Sequence, residues 1–279
     1  MVQKKSWLNR KISEVRKRAK KDSKYKKRMI VVWALLLAIW TGAVFYLSQV
    51  VTFEIARYCI STFEWAVDLN VAQTVCMVIS YILALTVMIL VPIKVLGAKI
   101  SREGLGLEGL PTWTDMLLAP IGYIVSMVAT VAVILVLQAI VPVIDWNQAQ
   151  NVGYNVVYTD RDKIITFLAL VVLAPITEEL IFRGFLYGKL RSRLSAIPAI
   201  IIVSALFGLM HGQWNVGVVV GIMSVFMCIA RELTGTIYAG ILIHMIKNGV
   251  AFYLLYVVNS PVTPAVSGVI LPMLLPFLV

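Results

Sequence analysis

Pro175-Ile-Thr-Glu-Glu-Leu-Ile-Phe-Arg183 places two adjacent carboxylates, Glu178 and Glu179, and one arginine inside a stretch that otherwise reads as membrane-spanning. The residues just upstream, Ile164 to Ile176, are almost wholly apolar. A charged side chain at bilayer depth costs roughly 2.5–3.5 kcal/mol on insertion scales, so ionisable residues there are functional candidates. The same holds for the two histidines of the chain, His211 and His244, which both lie in apolar segments.

Working outward, the 279 residues are 60% hydrophobic, with a formal net charge of +11. That much apolar surface excludes a soluble domain and predicts an all-α, polytopic membrane protein. Residues 1–28 carry 13 Lys/Arg and two acids, whereas the rest of the chain holds 12 basic and 12 acidic residues. The basic segment reads as a cytoplasmic tail held by the positive-inside rule rather than as a nucleic-acid arm. The apolar run 29–51 is too long for a signal-peptide core and reads as an uncleaved first span. Cys59, Cys76 and Cys228 lack metal spacing and read as packing residues.

Eight apolar runs predict about eight transmembrane helices: 29–51, 73–97, 116–143, 164–190, 196–214, 216–232, 236–257 and 262–279. Residues 52–72 read as an interfacial amphipathic helix between the first two. The chain divides into a basic tail (1–28), N-terminal membrane helices (29–163), a core bearing the polar motifs (164–258) and a C-terminal helix (259–279). Lys99, Arg102, Arg191, Arg193 and Arg231 fall on one side, while the other loops carry more acid than base. A multi-pass protein of the cell membrane with both termini cytoplasmic follows. At 1.5 Å per residue, Glu178 and His244 lie roughly 20 Å, and His211 and Asn248 roughly 26–27 Å, from the inner end of their spans. Four polar side chains can therefore meet in one layer.

Their types suit hydrolysis of a peptide bond. Glu179 and Arg183 share a helix face at i,i+4 and can pair, leaving Glu178 free, about 100° away. Pro175 removes a backbone hydrogen bond just upstream and opens polar backbone. Phe207 and His211 share a face, as do His244 and Asn248. A desolvated Glu178 can act as base on a water shared with His211, with His244 and Asn248 as donors to the oxyanion. No Gly-x-Ser-x-Gly occurs and no motif singles out a cysteine, so covalent catalysis has no candidate nucleophile. Glu178, His211 and His244 are also a possible zinc set, although His-Glu-x-x-His is absent and Asn248 has no role in it. The reading without zinc, and without any cofactor, is preferred. Gly217-x-x-x-Gly221 is a helix-packing pattern. A peptide-binding or immunity protein without catalysis and a proton-coupled transporter are the competing classes. No broken inverted repeat supports the transporter.

Glu178-Glu179-x-x-x-Arg183, Phe207-x-x-x-His211 and His244-x-x-x-Asn248, in this order, resemble the CAAX protease and bacteriocin-processing (CPBP, or Abi) family, which includes the type II CAAX prenyl endopeptidases. The resemblance covers roughly residues 164–258. It implies an eight-helix intramembrane protease fold, Glu178 as catalytic base helped by His211, and His244 with Asn248 as the oxyanion hole. Glu179, Arg183 and Phe207 are supporting residues. It implies a peptide or membrane-protein substrate within the lipid bilayer, and no nucleic acid. The metalloprotease label once given to the family keeps zinc as the alternative.

Overall fold

The computed structural model describes residue 14 and residues 23–97, 99–146, 148, 152–154 and 157–258. The expected eighth span (262–279), the C-terminal segment 259–279 and most of the basic tail 1–28 lie outside the described residues. Those described form helices joined by short loops, with no strand among them. Six helices are long and apolar enough to cross a membrane: α1 (Ser23–Thr62), α2 (Leu69–Leu96), α3 (Trp113–Ile140), α4 (Asp160–Arg191), α6 (Trp214–Thr234) and α7 (Tyr238–Val258). Between α4 and α6 lies the shorter apolar helix α5 (Ala196–Leu209). Large apolar side chains such as Leu35, Leu36 and Ile39 face outward, whereas Glu179 and Arg183 are fully buried. That inside-out polarity is what a bilayer requires.

Capping sets the helix boundaries. Asp68 accepts the Asn70 and Val71 N–H groups at the start of α2, and Gly97 ends that helix at φ +64°. Thr112 with Asp115, and Thr159 with Asp162, form reciprocal capping boxes that start α3 and α4. Asp115 also accepts from the Thr236 hydroxyl at 2.9 Å, tying the head of α3 to the α6–α7 turn.

Two sequence expectations are corrected. Residues 52–62 are not part of a separate interfacial helix but continue α1, which runs 40 residues. Nothing in Val51–Thr62 breaks a helix, since the stretch holds no proline or glycine. At about 60 Å, α1 is roughly twice as long as the hydrocarbon core is thick. The fifth span, expected over 196–214, ends at Leu209, and the chain turns at His211 and Gly212 (φ +71°). His211 therefore sits in the turn beyond α5, not on it.

Helix α5 packs along α6, α1 along α2, and α7 against α3, α4 and α6. The α5–α6 crossing is close because glycines meet there: a Cβ on Gly208 would stand 2.5 Å from the Gly217 carbonyl oxygen, and one on Gly217 2.8 Å from that of Gly208. Small residues at this crossing hold the His211 turn against the core.

Candidate active site

The long helix α4 is not uniformly α. Leu168–Leu173 and Leu180–Tyr187 are wide turns in which carbonyls bond N–H groups five residues on, flanking the α-helical Ala174–Glu179. In the first wide turn the Ala174 N–H bonds the Ala169 carbonyl. The next carbonyl, Leu170, would bond residue 175 in the same pattern, but Pro175 has no N–H. Asn248 supplies the donor instead, with Nδ2 2.8 Å from the Leu170 oxygen. The opened backbone expected from Pro175 thus locks α4 to α7 and fixes the Asn248 amide. One of the two Nδ2 hydrogens is left for another acceptor.

Glu178 and Glu179 have separate surroundings. Glu179 is wholly buried, with Arg183 Nη1 2.6 Å from its Oε1. His244 Nδ1 is 3.3 Å from the same oxygen. Glu178 faces a cavity of about 250 Å³, where the Tyr81 hydroxyl of α2 donates to Oε1 at 2.7 Å. The expectation that Glu178 is free of the arginine holds, and the structure adds Tyr81 as its partner. Glu178, Phe207, His211, His244 and Asn248 all line this cavity, so the helices bring the three sequence motifs to one place.

Phe207 is the hub between them. The Arg183 guanidinium lies 4.4 Å above its ring. Its ring edges against His211 at 4.9 Å and His244 at 5.7 Å between centroids. The tautomer of each histidine follows from its partner, assigned here from the hydrogen bonds. His211 Nδ1 is 2.8 Å from the Phe207 carbonyl, which only accepts, so Nδ1 carries the proton and Nε2 is an acceptor. His244 Nδ1 likewise donates to the Glu179 carboxylate. Its Nε2 therefore donates only when the ring holds both protons.

Tyr81 and Lys247 escaped the sequence reading. Tyr81 carries no local signal, because a tyrosine in an apolar span reads as ordinary. Lys247 did carry one: it is an ionisable residue in an apolar span, beside Asn248, and the argument that selected His244 applies equally to it. It is 6% exposed and lines the cavity.

The zinc alternative requires Glu178, His211 and His244 to converge at about 2 Å from one point. Among the described residues no three His, Cys, Asp or Glu side chains form such a group. As arranged, Glu178, His211 and His244 do not converge on one zinc position.

Residues 160–250 match the family model for type II CAAX prenyl endopeptidase Rce1-like proteins. No curated protein and no solved structure matches the chain.

Proposed function

We propose, from the premise that residues 160–250 belong to the CAAX protease family, that this membrane protein is an intramembrane endopeptidase hydrolysing a peptide bond in or near the bilayer. The observation that carries the reading is Glu178: a carboxylate held by the Tyr81 hydroxyl in a cavity that also presents two imidazoles and a carboxamide. Tyr81 occupies Oε1, and Oε2 is the oxygen left to take a proton from water. His211 Nε2, an acceptor, orients the same water. Attack on the scissile carbonyl develops an oxyanion that the second Asn248 amide hydrogen and a doubly protonated His244 can stabilise. Each such donor is worth roughly 3–4 kcal/mol of transition-state stabilisation. Glu179 holds His244 in register from behind, and Arg183 holds Glu179. The proton on Glu178 passes to the leaving amine, restoring the base.

The test is purified full-length protein in lipid vesicles, stripped by chelation and checked by elemental analysis, assayed by mass spectrometry of peptides released from a membrane-peptide library. Hydrolysis that persists without metal is expected. Activity that vanishes with chelation and returns with stoichiometric zinc would make Glu178 a ligand instead of a base. A peptide-binding or immunity protein would retain peptides and release no fragments.

The orientation belongs to the same proposal. Reporter fusions after residues 151 and 195 are expected to read outside and inside respectively, as the charge asymmetry dictates. The reverse pattern would invert the protein in the membrane.

A further inference from the structure

The cavity around Glu178 has a buried floor and an accessible mouth, and the two face opposite ends of the bundle. Phe182, Phe207 and Val220 line it and are at most 1% exposed. Beyond them, toward the C-terminal ends of α4 and α6, Leu186, Leu190 and Met227 are fully buried. The loop between α2 and α3 closes that end: Arg231 donates to the Gly104 carbonyl, and the Ile237 N–H to that of Gly106, both at 3.1 Å. Among the described residues lining the cavity, none comes from that loop or from 192–195 and 235–237. At the other end it is lined by the partly exposed Gln49, Gln73, Val152 and Tyr256. A side pocket of about 410 Å³ between α1 and α2 shares Phe53 and Gln73 with the cavity, and adds Ala56, Ile60, Leu69 and Ala72 as an apolar wall to the mouth. Charge tells the two ends apart. The closed end carries Lys94, Lys99, Arg102, Lys189, Arg191 and Arg193, besides the basic start of α1. The segments at the mouth end, 52–72 and 141–163, hold three basic and six acidic residues, and Arg57 and Arg161 are paired with Glu54 and Asp68. By the positive-inside rule the mouth is extracytoplasmic.

We propose that the cavity admits its substrate from the extracytoplasmic leaflet, along the α1–α2 side of the mouth, and that the substrate is a polypeptide chain presented on that face of the membrane. This access route rests on the hydrolase reading and the orientation proposed above, and adds to them the side from which the peptide comes. An exported peptide and the outer part of a membrane-spanning protein offer the same apolar, extended chain. Gln49 and Gln73 at the mouth each carry donors and an acceptor suited to the backbone of such a chain. Glu178 stands about 25 Å along α4 from its first turn, so an extended chain entering at the mouth needs about eight residues to reach it.

Thiol accessibility tests the side without a known substrate. Gln73→Cys and, independently, Gln49→Cys probe the mouth, and Ser192→Cys, on the exposed turn between α4 and α5, marks the closed end. A membrane-impermeant maleimide is applied to right-side-out and to inverted vesicles carrying the full-length protein, and adducts are mapped by mass spectrometry, since a thiol reacts only where the reagent reaches it. Reaction at position 73 or 49 in right-side-out vesicles alone, with position 192 reacting only in inverted ones, is expected. Reaction at both mouth positions only in inverted vesicles, or at neither in any vesicle while position 192 reacts, would overturn the assignment. Library peptides added outside right-side-out vesicles, and the same segments expressed as single spans in those membranes, separate an exported chain from a membrane-spanning one. Cleavage of at least one kind is expected about eight residues in from its extracytoplasmic end. That cleavage should be lost once position 73 carries the maleimide, and its persistence at full modification would overturn the route along α1 and α2. Labelling from outside without cleavage of any peptide would leave the access route standing and refute the hydrolase reading.

Discussion

Glu178→Gln is expected to abolish hydrolysis while leaving the protein folded in the membrane. Glutamine has nearly the shape of glutamate, and its carbonyl oxygen can still accept the Tyr81 hydroxyl that now stands 2.7 Å from Glu178. Glu178 is only partly buried and lines the cavity, apart from the buried Glu179–Arg183 pair, so its neutralisation leaves that pair intact. What is lost is the capacity to take a proton from water, a contribution of roughly 10²–10⁴ in rate. Single-turnover cleavage should fall by that factor, with membrane yield, size-exclusion profile and peptide binding unchanged. A variant that cleaves at the wild-type rate would remove Glu178 from the role of base and leave His211 Nε2 as the acceptor that faces water.

Arg183→Ala is expected to act in the opposite way, through stability. Both side chains of the Glu179–Arg183 pair are 0% exposed, with 2.6 Å between Nη1 and Oε1. Removing the guanidinium leaves a buried carboxylate without its main partner and an empty volume over the Phe207 ring, where Arg183 now lies at 4.4 Å. Breaking one side of a buried pair costs about 3–5 kcal/mol, a large part of the stability of a typical domain. Thermal unfolding in detergent should show a markedly lowered midpoint and poor recovery of monodisperse protein. Replacing the pair as a whole, with Glu179→Gln and Arg183→Met together, removes both charges and should recover much of the loss. Activity should not return with it, because His244 Nδ1 still lacks the carboxylate that holds it. An Arg183→Ala protein as stable as wild type would show that the pair is not what holds this part of the core.

Glu179 therefore acts on two levels. One of its oxygens receives both Arg183 and His244, so the element that stabilises α4 also orients a residue on α7. Gly240 makes room for this arrangement: a Cβ there would come 2.8 Å from Glu179 Oε2.

The sequence by itself determined the membrane class, the helical spacing that pairs Glu179 with Arg183, and the motifs that line the cavity. These are properties of composition and of a 3.6-residue period, and both are local. Pro175 likewise announced that a backbone carbonyl would be left open, because a missing N–H is a fact of covalent structure. Only the tertiary structure decided who would answer it. That Asn248 donates to Leu170 requires α7 to lie against α4 at one register. The separation of His211 from helix α5 was equally hidden, since Gly212 permits a turn, here at φ +71°, without enforcing one. Tyr81 is 97 residues from Glu178 in sequence, and its hydroxyl reaches the Glu178 carboxylate only when α2 packs beside α4. Lys247 was legible as a charge in an apolar span. Its meaning depended on which stripe of α7 faces inward, and helix packing, a sum of contacts among many distant side chains, sets that stripe.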